Sequence, residues 1–164
     1  MLYTMRLRTH NIFGFAIALL VLRTWLYKHL LLTVFSSIFL SLSINWFIDH
    51  VAGHKGYRRT PYTHSFVTSA IIAVIITLLY LYVLRLLGVY IPMELLYGAV
   101  AIAVSHILLD MVTKDGVYPL WPFSRGRVSV LGIRYDNPIV NIFFVIVSIA
   151  IVAVILLDMA RYYL

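Results

Sequence analysis

Five apolar runs, separated by short polar stretches, dominate this chain: about His10–Lys28, Leu30–Ile48, Phe66–Leu87, Met93–Leu109 and Pro138–Leu157. Each is long enough to cross, or nearly cross, a hydrocarbon layer of roughly 30 Å at about 1.5 Å per helical residue. A water-soluble domain of 164 residues that is 63% hydrophobic and 12% charged has too much surface for its volume to hide its apolar side chains. The expected fold is therefore all-α: a polytopic membrane helix bundle of about five crossings, forming one integral membrane domain over residues 1–164. The first run has only a short apolar heart, Ile12 to Leu22, so Arg23 and Lys28 must snorkel for it to span. Met1 to Arg8 is basic, but no small-residue cleavage motif follows it, so a removable signal peptide is not expected.

The charges set an orientation. Arg6, Arg8, Lys55, Arg58, Arg59, Lys114, Arg125, Arg127 and Arg134 fall on one side of a five-crossing chain, against Arg23, Lys28, Arg85 and Arg161 on the other. The positive-inside rule places the first group, with the N-terminus, in the cytoplasm. A formal charge of +7 invites a nucleic-acid reading, but these residues are scattered through short loops and form no basic helix face, so no nucleic-acid partner is expected.

Five of the six histidines share that cytoplasmic side. His10 opens the first run, Asp49-His50 closes the second, His64 opens the third, and His106 with Asp110 closes the fourth. Because the chain reverses at each crossing, residues that alternate between run starts and run ends converge. Scattered histidines have no reason to follow this alternation, whereas a shared metal site requires it. His106 and Asp110 are four apart, so a nitrogen and a carboxylate oxygen face one way from successive turns. An aspartate deep in a bilayer costs roughly 2.5–3.5 kcal/mol and calls for a partner. The blander alternative has each residue simply reaching the headgroups from a helix end. Asn45, one turn before Asp49, can support it by hydrogen bonding. Thr9-His10-Asn11 and Thr63-His64-Ser65 each set a small polar residue beside a histidine, where it can cap the helix start. His54 follows Gly53 and is expected to be peripheral, while His29 lies on the opposite side. With no cysteine, any metal is held by nitrogen and oxygen.

Two polar loops flank these positions. Asp49–Ser65 carries Lys55, Arg58 and Arg59, and Met111–Asn137 carries Arg125 and Arg127. Trp121 and Phe123 suit the headgroup layer. Arg127-Val128-Ser129-Val130 alternates in polarity and suggests one strand of a small hairpin capping the site.

The stretch ending Tyr62-Thr63-His64-Ser65 resembles the H-R-G-x-T-H-S element of the YdjM-like family of predicted membrane-bound metal-dependent hydrolases. Ser105-His106-Ile107-Leu108-Leu109-Asp110, with Thr113, Gly116-Val117 and Leu120-Trp121-Pro122-Phe123, is similar to that family's S-H-L-L-L-D, T, G-V and L-W-P-F sequence. Thr9-His10 and Asp49-His50 match its N-terminal histidine and the end of its P-D-x-D-H element. The resemblance runs from about residue 6 to 127 and implies metal ligation by His10, Asp49, His64, His106 and Asp110. More distantly it extends to the zinc-dependent phospholipase C and nuclease group. Trp46 and Phe47 stand where the family has proline and its first aspartate, which implies fewer than its two or three metals, or the use of Asn45 instead. Thr60-Pro61-Tyr62 stands where the family has its arginine-glycine pair.

Together these features point to a hydrolase at the cytoplasmic face of the cell membrane, cleaving a phosphoester, with lipid phosphoesters among the candidate substrates. Zinc is the leading metal, with manganese and iron also compatible with imidazole and carboxylate ligands. Asp49 or Asp110 would act as the base, and Lys55, Arg58, Arg59, Arg125 and Arg127 would hold an anionic substrate among membrane lipids. A metal-free lipid phosphatase would need a Pro-Ser-Gly-His setting, which is absent, and a His-Glu-x-x-His protease is excluded because Glu94 is the lone glutamate. A transporter should place polar ligands near mid-membrane, where these runs carry hydroxyls rather than charges. The alternative from another class is a non-enzymatic, metal-stabilised structural or partner-binding membrane protein.

Overall fold

The computed structural model describes residues 6–51, 54–55, 58–89 and 92–163. Among the described residues there are six helices and one small ladder: α1 (Leu7–Val21), α2 (Arg23–Lys28), α3 (Leu30–His50), β1 (His54–Lys55), β2 (Arg58–Arg59), α4 (Phe66–Leu86), α5 (Leu95–Met111) and α6 (Pro138–Tyr163). α3, α4 and α6 are long and apolar enough to cross a membrane, and α1 and α5 are shorter apolar helices. The first apolar run, expected as one segment, is two helices. The chain turns at Leu22, whose carbonyl accepts from Trp25 and Leu26 and starts the new helix. Leu22 itself is buried, with its side chain resting over Gly98 of α5.

α5 is the hub. It packs against α1, α3 and α4, and α1 in turn packs against α3 and α6. Small residues line these contacts, among them Gly14, Ala16 and Ala18 on α1 and Gly98, Ala99 and Ala103 on α5. Such residues let backbones approach where lipid tails leave no hydrophobic force between helices. Leu40, Ile44, Ile48, Ala73 and Ile102 complete the main core. Phe35, Leu79, Ile146 and Ile149 are each about 60% exposed, an apolar perimeter suited to lipid rather than water.

Polar contacts pin the helices at particular depths. Ser36 Oγ and Tyr80 OH, 3.0 Å apart, join α3 to α4. Thr9 Oγ1 donates to Asn141 Oδ1 at 2.6 Å, joining α1 to α6. Thr9 therefore does not cap α1, which begins earlier, at Leu7, with no side-chain cap. Ser65 does cap α4, its Oγ accepting from the Thr68 amide at 3.2 Å.

The loop between α5 and α6 folds back over the same end of the bundle. Val117 and Val128 exchange both main-chain hydrogen bonds, at 2.9 and 2.8 Å. The strand expected at Arg127–Val130 amounts to that one antiparallel bridge, while the two-residue strands lie instead at β1 and β2. Two further bonds stitch this loop to the start of α4: Tyr118 N to the His64 carbonyl at 3.0 Å, and Phe66 N to the Pro119 carbonyl at 3.2 Å.

Candidate metal centre

Four side chains meet at the loop-covered end of the bundle. Asp49 comes from the last turn of α3, His64 from the turn before α4, and His106 and Asp110 from successive turns of α5. One ligand atom from each lies within 4.8 Å of every other. His64 Nε2 is 3.6 Å from Asp49 Oδ1 and 3.5 Å from Asp110 Oδ2. His106 Nε2 is 3.5 Å and 3.4 Å from the same two oxygens. All four residues are buried, Asp49 least completely at 4% exposure.

His10 reaches the cluster from a different direction. Its Nε2 is 3.2 Å from the other oxygen of Asp110, Oδ1, and its ring stacks on that of His106 with centroids 4.0 Å apart. It stands beside the four-ligand set rather than within it.

Arg59 takes that same oxygen. Its Nη2 donates to Asp110 Oδ1 at 2.6 Å, and its Nη1 donates to Thr113 Oγ1, the Gly116 carbonyl and the Asp110 carbonyl at 2.7, 3.2 and 3.3 Å. Only 3% exposed, Arg59 is a fixed counter-charge to Asp110. The sequence placed it among the substrate-holding cations, a role its buried, engaged guanidinium does not suit. No local spacing marks this pairing, because its partner lies 51 residues away.

The remaining expected positions divide simply. His50 is exposed and stacks on Trp46, and His29 stacks on Trp25 at the opposite end of α3. Arg125 is exposed, and Arg127 lies at the surface with its Nη2 3.9 Å from Asp115 Oδ1. The side chains of His54, Lys55 and Arg58 lie outside the described residues. Asn45 is fully buried and turns its Oδ1 to His106 Nδ1 at 3.0 Å, not to Asp49 as its spacing suggested.

The arrangement fits a divalent cation on three counts. His106 Nε2 and Asp110 Oδ2 are buried without a hydrogen-bond partner among the described groups, an expensive state unless a ligand takes them up. Two buried carboxylates offer oxygens within 4.8 Å of each other, a concentration of negative charge that a cation offsets. Burial pushes the His64 imidazole down to about 4, against the opposing pull of Asp49, so the ring is neutral, as ligation requires. Imidazole and carboxylate ligands without thiolate suit zinc, manganese or iron.

The fold and cluster together define a polytopic helical membrane protein with a buried histidine–aspartate group able to hold a metal ion. The chain belongs to the YdjM inner membrane protein family, whose model matches residues 5–163. Over 97 residues it is 38% identical to inner membrane protein YdjM of Escherichia coli (strain K12), a match covering 57% of this chain and 44% of that protein. The YdjM protein of Shigella flexneri matches to the same extent. The match thus spans less than half the length of these curated relatives. No solved structure matches the chain.

Proposed function

We propose that the chain is a membrane-embedded, metal-dependent hydrolase working at the cytoplasmic surface on an anionic phosphoester, with a lipid as the natural source. The convergence of His64, His106, Asp49 and Asp110 on one buried centre carries this reading. Zinc is the preferred ion, and one ion is expected. One four-residue group among the described residues could hold an ion, and the remaining oxygen of Asp110 is already taken by Arg59 at 2.6 Å.

A divalent cation held there supplies Lewis acidity to a phosphoryl oxygen and acidifies water. The chain's own groups do the rest. Arg59 keeps Asp110 ionised and in place, and Asp49, the more exposed carboxylate, is placed to accept a proton. Arg125 and Arg127, on the loop folded over this end, supply positive charge for a phosphate. A site at headgroup depth meets a lipid phosphoester without drawing it out of the bilayer.

The closure of the centre favours one other reading, a structural cation pinning α3, α5 and the His64 turn. The two are separated by measuring metal content and phosphoesterase activity on the purified full chain in lipid. A hydrolase loses bound metal in His106→Ala and Asp110→Ala, whereas Arg125→Ala and Arg127→Ala keep metal and lose turnover. Metal retained in both His106→Ala and Asp110→Ala removes the metal centre. Bound metal in the intact chain without hydrolysis of any phosphoester in a broad lipid and soluble panel selects the structural reading.

A further inference from the structure

The orientation of His106 follows from a chain of hydrogen bonds that begins at a group with no choice of role. The main-chain carbonyl of Asn11 can only accept, so Ser41 Oγ, 2.8 Å away, must direct its single proton there. Ser41 Oγ is thereby left as an acceptor for the Asn45 amide nitrogen at 3.3 Å. Asn11 Oδ1, 3.1 Å from that nitrogen, is a second acceptor on the same side. With its NH2 end committed to these two oxygens, the Asn45 side chain presents Oδ1 to His106 Nδ1 at 3.0 Å. That oxygen can only accept. Nε2 faces acceptors too, Asp110 Oδ2 at 3.4 Å and Asp49 Oδ1 at 3.5 Å, but among the described residues it makes no hydrogen bond. The shorter contact at Nδ1 therefore favours the neutral ring with its hydrogen there and its lone pair on Nε2.

The backbone is built to permit this chain. A Cβ on Gly14 would stand 2.9 Å from Ser41 Oγ and 3.3 Å from the Asn45 amide nitrogen, so only glycine lets α1 come this close to α3. On the other side of the imidazole, the His10 ring lies nearly parallel at 4.0 Å and restrains the plane. Position, tilt and proton are thus each assigned by a separate neighbour.

We infer that Asn45 is a positioning residue that sets the tautomer of His106, and that Ser41 and Asn11 set the sense of Asn45. The inference rests on the metal reading only for its consequence, since the tautomer is a property of the chain itself. Buried groups that hydrogen-bond the far nitrogen of a metal-binding histidine typically govern affinity by about 10–100-fold. Asn45→Leu removes the acceptor at similar volume, and Asn45→Asp keeps an oxygen facing Nδ1.

The test uses the full chain in lipid nanodiscs, labelled with 15N-histidine and studied above the pH at which the His106 ring deprotonates. The His106 signals, assigned by their loss in His106→Gln, should report hydrogen on Nδ1. Hydrogen on Nε2 overturns the inference, whether or not zinc binds. In parallel, zinc affinity should fall about 10–100-fold in Asn45→Leu and stay near that of the natural chain in Asn45→Asp. Unchanged zinc affinity in Asn45→Leu overturns the positioning role. If the natural chain takes up no zinc, the metal reading falls, and the nitrogen shifts alone decide the tautomer.

Discussion

Arg59 Nη2 stands 2.6 Å from Asp110 Oδ1, joining side chains that are 1% and 0% exposed across 51 residues of sequence. This contact binds the β-ladder segment to the end of α5 and divides the work of the carboxylate. One oxygen holds the guanidinium, and the other turns to His64 and His106. Breaking a buried ion pair by removing one partner costs about 3–5 kcal/mol, because a charge is left without compensation. Arg59→Met should therefore lower the melting temperature of the metal-free protein by several degrees. Excess zinc should recover part of that loss, since a cation near Asp110 offsets the same charge. Thermal melts in one detergent, with and without zinc, provide the measurement. Identical melting of Arg59→Met and the natural chain would show that the pair carries no weight.

The site end of the bundle should face the cytoplasm, since nine of the thirteen lysines and arginines fall on that side of a five-crossing chain. The absence of cysteine makes single-cysteine labelling direct. In spheroplasts, an impermeant thiol reagent should reach Arg161→Cys and leave Ser124→Cys unlabelled until the membrane is opened. The reverse pattern inverts the orientation. Labelling of both from the same side rejects five crossings.

Much of this was legible in the chain because membrane helices declare themselves through unbroken apolar runs. α3, α4 and α6 start at Leu30, Phe66 and Pro138, where their runs were expected to start. The meeting of His64, His106, Asp49 and Asp110 could also be anticipated, because alternation between run starts and run ends is a property of chain direction. What escaped depends on contacts between distant residues. The turn at Leu22 falls within an apolar run, and hydrophobicity has no means of marking it. Thr9 looked like a cap because of its neighbours, yet its hydroxyl serves Asn141, 132 residues on. Asn45 was placed one turn below Asp49 by spacing, but its rotation brings it to His106 on another helix. Arg59 looked like its neighbouring loop cations until the fold buried it.

The loop after α5 should be coupled to the candidate metal centre through Gly116. This residue has φ +54°, a conformation that costs other L-residues roughly 1–2 kcal/mol. A Cβ here would also stand 2.3 Å from the Val128 carbonyl oxygen, which is main chain and cannot swing aside. That oxygen accepts from Val117 in the bridge closing the loop, and the Gly116 carbonyl itself accepts from Arg59 Nη1 at 3.2 Å. Gly116→Ala should therefore open the bridge, displace the carbonyl and loosen Arg59 from Asp110. Gly132 is the control, with φ +62° and nothing within 4 Å of an added Cβ, so Gly132→Ala carries the backbone strain alone. Gly116→Ala should melt several degrees below Gly132→Ala and hold zinc more weakly, while Gly132→Ala binds it normally. Equal melting and equal zinc affinity in the two variants would show that the loop covers the centre without supporting it.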